Sequence, residues 1–269
     1  MSCTADLTSD AIKKSGISKT SREKGLKLIK QMIQAHGGLK NWQSTGSVRV
    51  TIRDYWPSWL MRTLGMPWEF SGQKVQLDWA QGTDNSRLTF LEGKAKGNIW
   101  GIQNWSPYVK RHNNIEFEEN NEIKFWLPTM QYFIEAPFRI REANIVGYMG
   151  EKVLKLHNKK VKYDLVFASW KTYKPQSDID QYVLWINRET KLMEFIQYTV
   201  RDMMSFMTAA LHYKNFTRVG GVWFAKKMTI VSNPGEDNIT HDMHIEKISI
   251  KQKFTPNYLL PNPKVKTRK

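Results

Sequence analysis

The chain has 269 residues, of which 41% are hydrophobic, and it carries a formal charge of +16 with a single cysteine. One cysteine excludes an internal disulfide and a cluster of thiolate metal ligands. No apolar run reaches the roughly 18 residues that a membrane-spanning helix needs. No linker-like segment divides the sequence, so we expect one β-rich domain.

We place this domain at residues 20–260, after a flexible leader at 1–19 and before a basic tail at 261–269. The leader is polar, rich in Ser, Thr and Lys, and without periodicity, which is typical of a flexible segment. Within it, Cys3 follows the small residue Ser2, as a lipid-modified cysteine does at the start of a mature bacterial lipoprotein. Cys3 is therefore either a lipid anchor or a lone thiol in a flexible tail.

An N-terminal helix is predicted after the leader. Thr20 and Glu23 have the spacing of a capping box, in which a hydroxyl and a carboxylate bond the free N–H groups at a helix start. Ile29 and Ile33 lie on an apolar stripe, as expected of a helix that packs on a core. The glycines that begin at Gly37 are a natural stop for this helix.

Alternating apolar and polar residues then predict four strands of a meander. They lie at residues 48–53, 74–79, 87–91 and 98–105.

An unusual connection at residues 55–68 joins the first two of these strands. It contains Trp56, Trp59 and Leu60, whereas connections are normally short and polar. These side chains either fold back over the sheet as part of the core or form an apolar lip that contacts a lipid or guards a pocket.

A helical segment at residues 118–135 interrupts the strands. Its large apolar residues recur at steps of three and four, as Trp126, Met130 and Phe133 do. We expect it to end at Pro137, because proline cannot continue a helix without losing a hydrogen bond. This short apolar helix is the natural cover for one open face of the sheet.

The core of the sheet is predicted at residues 182–231, which contain strand, turn, strand twice over. The first turn is polar and lies at 187–190, and the second contains the pair Gly220-Gly221, which suits a tight hairpin. Tyr182 and Leu184 are apolar, but so is the residue between them, and a half-solvated strand should alternate. Both faces must therefore be covered, either by helices of this chain or by a cavity that receives an apolar ligand.

The last strand changes phase. Its apolar residues indicate a β-bulge near Glu246 and Lys247. Asp242 and His244 share a face of this strand, and His241 adjoins them. These side chains are either outward polar residues or part of a weak metal site, and two ligands on one face are too few to define one, so we predict no metal.

The positive charge suggests nucleic acid as a partner, but its distribution argues against one. Lysines are scattered over outward strand positions, and residues 253–269 hold five basic and no acidic side chains without a basic helix or an aromatic RNA-binding motif. The charge therefore belongs either to a solvated surface or to one that attracts an anionic membrane or an acidic partner.

Catalytic motifs are absent from the sequence. It contains no G-x-S-x-G, no glycine-rich phosphate loop, no H-E-x-x-H, and no Cys–His pair in a segment expected to be ordered. We therefore predict a protein that is not an enzyme and has no cofactor.

Two segments carry a family resemblance: residues 35–42, Ala-His-Gly-Gly-Leu-Lys-Asn-Trp, close the predicted N-terminal helix, and residues 184–192, Leu-Trp-Ile-Asn-Arg-Glu-Thr-Lys-Leu, form a strand and its turn. Together they resemble the LolA/LolB-like lipoprotein-carrier superfamily and its bacterial relatives. The resemblance implies an α+β fold, in which a highly curved, unclosed antiparallel half-barrel surrounds an apolar cavity covered by helices. It also implies binding of acyl chains or similar lipids in the bacterial periplasm or at the outer membrane.

The sequence thus predicts a lipid-binding carrier or sensor, whose partners are an apolar ligand such as an acyl chain and, in addition, a membrane surface or a lipidated protein. The alternative is an interaction or scaffold protein that docks an acidic partner through its basic surface. The predicted ligand-binding side chains are Trp56, Trp59, Leu60, Trp79, Trp100, Trp126, Met130, Phe133 and Trp185.

Overall fold

The computed structural model describes residues 4–112, 114–156, 158–201, 204–262 and 264–265. Its α-helices are α1 Asp10–Ser15, α2 Lys19–Ala35, α3 Leu39–Gln43, α4 Trp59–Gly65, α5 Asn121–Arg139 and α6 Pro256–Leu259, with a 3-10 helix at Ile140–Glu142. Its strands are β1 Ser47–Tyr55, β2 Gln73–Ala80, β3 Ser86–Phe90, β4 Ile99–Gln103, β5 Ser106–Arg111, β6 Asn114–Phe117, β7 Ile145–Leu156, β8 Lys159–Ser169, β9 Gln181–Asn187, β10 Met193–Val200, β11 Met204–Val219, β12 Val222–Val231 and β13 His241–Ser249.

Across the described residues these strands form one 13-stranded sheet in the order β6-β5-β4-β3-β2-β1-β13-β12-β11-β10-β9-β8-β7. Neighbours run antiparallel, as between β1 and β2 or β8 and β9. Because β6 and β7 stand at opposite ends of the order, the sheet is not closed. The predicted α+β class with an unclosed antiparallel sheet is confirmed.

The chain divides into two compact units. Unit 1 takes the chain up to Gly38, Pro137–Lys214 and Met228–Thr240, and unit 2 takes Leu39–Ala136, Asn215–Lys227 and the chain from His241 onward. The limits of a single domain at 20–260 stay a prediction.

In unit 1, the segment predicted as a flexible leader packs on the sheet, which corrects that prediction over its described residues. Ser9 caps α1, and Ile12 is buried against the apolar face of β8 to β10, with Leu7 and Ile17 packed beside it. The N–H of Ala5 donates to the carbonyl of Ser205. The apolar residues that pack on the sheet, Leu7, Ile12 and Ile17, lie five residues apart. This spacing matches neither the helix period nor the strand period, so the sequence pattern did not predict their burial.

Helix α2 packs on the opposite face of the sheet at β7, the strand next to β8. A Cβ on Gly25 would lie 2.9 Å from Val146 Cγ1, whereas a Cβ on Gly147, the next residue of β7, would lie 3.1 Å from Ile17 Cγ1. The two faces of β7 thus meet different parts of the chain. At β7 and β8, elements of this chain therefore cover both faces, as the first of the two explanations predicts.

The start of α2 differs from the prediction. Ser18 is the N-cap and accepts from the N–H of Ser21, so the helix begins before the capping box predicted at Thr20. Ser18 and Thr20 both carry a hydroxyl near this helix start, and the sequence spacing alone does not select the N-cap between them.

The predicted turns and bulge are confirmed. Gly220 and Gly221 have φ of 59° and 85° and connect β11 to β12, as a tight hairpin requires. In the polar turn after β9, Asn187 Oδ1 accepts from the N–H of Glu189 at 2.8 Å. Opposite β1, the register skips Glu246, the bulged residue of β13.

Helix α5 confirms the predicted helical segment but extends further. It continues through Pro137 and ends at Arg139, so the expectation that Pro137 ends it was wrong. A proline removes one backbone hydrogen bond from a helix. Pro137 lies in the last turn of α5, so the helix continues for only two more residues before it ends at Arg139.

Candidate functional site

Helix α5 is fastened to the sheet through a buried carboxylate. The indole Nε1 of Trp79 on β2 donates to Glu135 Oε1 at 2.6 Å. One turn earlier on the helix, Gln131 Nε2 donates to Glu135 Oε2 and to the carbonyl of Thr83. Met130 and Phe133 are buried on the same helix. The predicted helical cover therefore lies over β2, held by polar contacts as well as apolar ones.

A second buried carboxylate organises the aromatic connection between β1 and β2. Asp54 is 0% exposed and accepts hydrogen bonds from the indoles of Trp56, at 3.0 Å, and Trp68. Its other oxygen bonds the ring of His241 on β13. Burying a carboxylate is costly unless it is paired and hydrogen-bonded, and here three ring N atoms surround it.

Aromatic rings pack around this carboxylate. His241 stacks on Trp56 with ring centroids 4.2 Å apart, and Trp126 of α5 meets the edge of Trp56 at 5.4 Å. Trp68 lies 5.7 Å from Trp100, which is half-buried. We call Asp54, Trp56, Trp68, Trp126 and His241 the aromatic cluster.

The middle of the same connection is exposed. Ser58 caps α4, and the described side chains of this helix are all at least partly exposed. Trp59 is 70% exposed, in contrast to 2% for Trp56, and Leu60 and Leu64 are also exposed. We call Trp59, Leu60 and Leu64 the α4 ridge. The ends of this connection are therefore core and its middle is surface, and lipid contact or a pocket-guarding role for the middle stays a prediction.

The predicted ligand-binding residues do not all lie together. Trp185 lies in unit 1 and packs edge-on against Tyr163, 5.8 Å away, beneath α1. The other predicted residues with described positions lie in unit 2, and a ligand-binding role for all of them stays a prediction. The predicted lipid anchor Cys3 lies outside the described residues.

Sequence analysis missed the central role of Asp54. The buried positions of β1 are Val48, Val50, Ile52 and Asp54, so the carboxylate continues the apolar phase of the strand. A charged residue in that phase was the available signal. From the sequence, His241 was considered only as a neighbour of Asp242 and His244 in a weak metal site. The described residues contain no group of three or more His, Cys, Asp or Glu side chains that could hold a metal ion.

A basic hairpin lies in unit 1. Exposed lysines at positions 152, 155, 159, 160 and 162 occupy the ends of β7 and β8, and Lys155 stands directly opposite Lys160. Within the described parts of the chain, none of the five makes an ion pair with an acidic side chain. Like charges directly opposite each other destabilise a sheet. We call these residues the lysine hairpin.

The described helices include none that is long and apolar enough to cross a membrane.

Neither a protein-family model nor a curated protein matches the chain, but solved structures do. A domain from Vibrio parahaemolyticus, described as an outer membrane lipoprotein-sorting protein, has a TM-score of 0.55 at 10% identity, covering 89% of this chain and 97% of its own. A DUF1329 family protein from Desulfovibrio piger has a TM-score of 0.53 at 9% identity, with coverage of 89% and 97%. A LolA superfamily protein from Nitrosomonas europaea has a TM-score of 0.46 at 11% identity, with coverage of 82% and 94%.

The first two structures share the fold of this chain over nearly its whole length. At 10% and 9% identity, this likeness shows a shared fold.

Proposed function

We propose that the protein binds a lipid or another apolar ligand, such as an acyl chain, as a carrier or sensor without enzymatic activity. The α4 ridge carries this proposal, because it exposes Trp59, Leu60 and Leu64 beside the buried aromatic cluster. Contiguous exposed apolar side chains mark contact with an apolar partner. The description of the Vibrio neighbour as a lipoprotein-sorting protein supports a carrier role.

The ligand's apolar part would bind beneath α5 in unit 2. The lining would come from Trp79, Trp126, Met130 and Phe133, with the half-buried Trp100 nearest to solvent. A pocket for a molecule of this class is mostly apolar with a few placed polar groups. Here Glu135, which fastens α5 to Trp79, would be one of those groups.

Protein isolated from its native cell envelope should yield an apolar ligand on organic extraction, detected by mass spectrometry. The delipidated protein should also bind a fluorescent fatty acid. Substituting Met130→Gln should weaken that binding, because it places an amide in the apolar lining, whereas Phe206→Gln on an exposed position of β11 serves as the control. No extracted lipid together with no fatty-acid binding would contradict the proposal.

A second candidate function is docking of an acidic partner, and the lysine hairpin favours it. Its unpaired charges and the opposed pair Lys155 and Lys160 would be relieved by carboxylates from a partner. In the same experiment, an extract without lipid and salt-sensitive binding to an acidic protein would favour this candidate.

We also propose a location in the bacterial periplasm or at the outer membrane, with Cys3 as a lipid anchor. The small residue before Cys3 supports this assignment. Mass spectrometry of the N-terminal peptide, purified from native membranes, should detect acylated Cys3, and an unmodified thiol would contradict the anchor.

A further inference from the structure

A row of charged and polar residues crosses five strands of unit 2. The register places Arg49 on β1 opposite Asp78 on β2, then Arg87 on β3, Gly101 on β4 and Tyr108 on β5. Directly opposite residues of antiparallel strands share a face. This face is the one opposite to Asp54 and the aromatic cluster, since Arg49 and Asp54 occupy alternate phases of β1.

The carboxylate in this row, Asp78, is already paired with Arg49. Asp78 accepts two hydrogen bonds from Arg49, at 2.7 and 3.2 Å, one from Tyr258 Oη at 2.6 Å and one from Gln76 at 2.8 Å. Arg49 and Asp78 therefore balance each other, as a bidentate pair does.

Arg87, in contrast, has no acidic partner among the described residues. Within the described residues it makes no salt bridge, and its one hydrogen bond is from Nη1 to the carbonyl of Tyr258 at 3.5 Å. Its guanidinium lies 4.2 Å from the ring centroid of Tyr258, and its Nε is buried without a hydrogen-bond partner. A buried N–H without a partner costs free energy, and more so on a charged group.

Two hydroxyl groups that are likewise buried without a hydrogen-bond partner lie beside Arg87. A Cβ on Gly101 would stand 2.4 Å from Tyr108 Oη, so this phenol lies over the glycine that faces Arg87. Thr89 is two residues from Arg87 on the same face of β3. Both Tyr108 Oη and Thr89 Oγ1 are buried without a hydrogen-bond partner.

Tyr108 is a hydrogen-bond donor at neutral pH. Burial raises the pKa of its phenol to about 12, although the positive charge of Arg87 acts in the opposite direction. Three neighbouring donor atoms, Arg87 Nε, Thr89 Oγ1 and Tyr108 Oη, therefore have no acceptor within the described residues.

The C-terminal segment closes over this row. Tyr258 of α6 lies on Arg87, and further along, the carbonyls of Asn262 and Val265 accept from the side-chain amides of Gln103 and Asn104. The described residues of this segment, 251–262 and 264–265, therefore act as a strap that excludes water from the donors. Exclusion of water strengthens an electrostatic contact beneath it.

We propose that Arg87, Thr89 and Tyr108 form a binding site for a small oxyanion, a carboxylate or a phosphate, held under the C-terminal strap. The Nε edge of a guanidinium binds such groups by two parallel hydrogen bonds, and the two hydroxyls supply further donors. The anion would neutralise the charge of Arg87. The site is independent of the proposed apolar ligand, because it lies on the other face of β1 to β5.

Thermal unfolding and calorimetry test this site with inorganic phosphate and acetate, at ionic strength matched with chloride. We expect the full-length protein to bind at least one of them, and Tyr108→Phe and Thr89→Val each to weaken that binding by about tenfold or more. Tyr108→Phe removes a buried hydroxyl without a partner and Thr89→Val replaces one with a methyl group, so the fold should be retained. Thr51→Val, two strands away in the same row as Thr89, is the matched control.

Dodecyl phosphate separates the two sources of such an anion. Binding of inorganic phosphate and dodecyl phosphate alike assigns the site to a free anion, whereas binding of dodecyl phosphate alone assigns it to a lipid headgroup. No binding of any of the probes, or equal binding by the wild type and both hydroxyl variants, would overturn the site and leave an ordered water only.

Discussion

Replacing Asp54 with alanine should lower the free energy of unfolding by about 3–5 kcal/mol, the cost of removing one partner from a buried charged network. The carboxylate accepts from Trp56, Trp68 and His241. Without it, buried donors lose their acceptor, and each such loss costs about 1–3 kcal/mol. The connection between β1 and β2 would then lose the group that fixes both of its ends.

Urea denaturation measures this loss, and tryptophan fluorescence reports on the two indoles that contact the carboxylate. Asp54→Asn should cost less than Asp54→Ala, since the amide keeps one acceptor oxygen. Asp178→Ala, at an exposed loop position, provides the control and should change stability by less than about 0.5 kcal/mol. A loss below about 1 kcal/mol for Asp54→Ala, as expected of an exposed pair, would contradict a structural role for this carboxylate.

Local pattern was sufficient to predict much of the fold. The alternation at residues 48–53 predicted β1, the pair Gly220-Gly221 predicted a hairpin, and a phase change predicted the bulge at Glu246. Each of these features depends on residues that are neighbours in sequence or directly paired. The N-terminal segment could not be predicted in this way, because Ile12 is buried by strands more than 140 residues away.

The candidate site was harder to predict than the fold. Trp56 and Trp59 are the same residue type three positions apart, yet one is core and the other is surface. Residue type gives the tendency to be buried, whereas the choice between them depends on Asp54, which binds the first indole. The apolar strand pattern predicted that Trp185 would line the same cavity as residues now found in unit 2. Its ring instead packs beneath α1 in unit 1.

A substitution at the buried end of this connection should therefore affect stability far more than substitutions in its exposed middle. Trp56→Ala should destabilise the protein by about 3–5 kcal/mol, because it empties a buried site the size of an indole. The double substitution Trp59→Ser and Leu60→Ser should change stability by less than about 0.5 kcal/mol, since both side chains are exposed. Urea denaturation of both variants measures the contrast.

The same double variant should lose binding to anionic lipid vesicles, measured by co-sedimentation. An exposed apolar helix on a protein of charge +16 suits such a surface, because apolar insertion and electrostatic attraction act together. Trp105→Ser is the matched control, as Trp105 is an exposed tryptophan outside the α4 ridge, and it should bind vesicles like the wild type. If the double variant were strongly destabilised, the ridge would be core, and if it bound vesicles unchanged, the ridge would have no part in lipid contact.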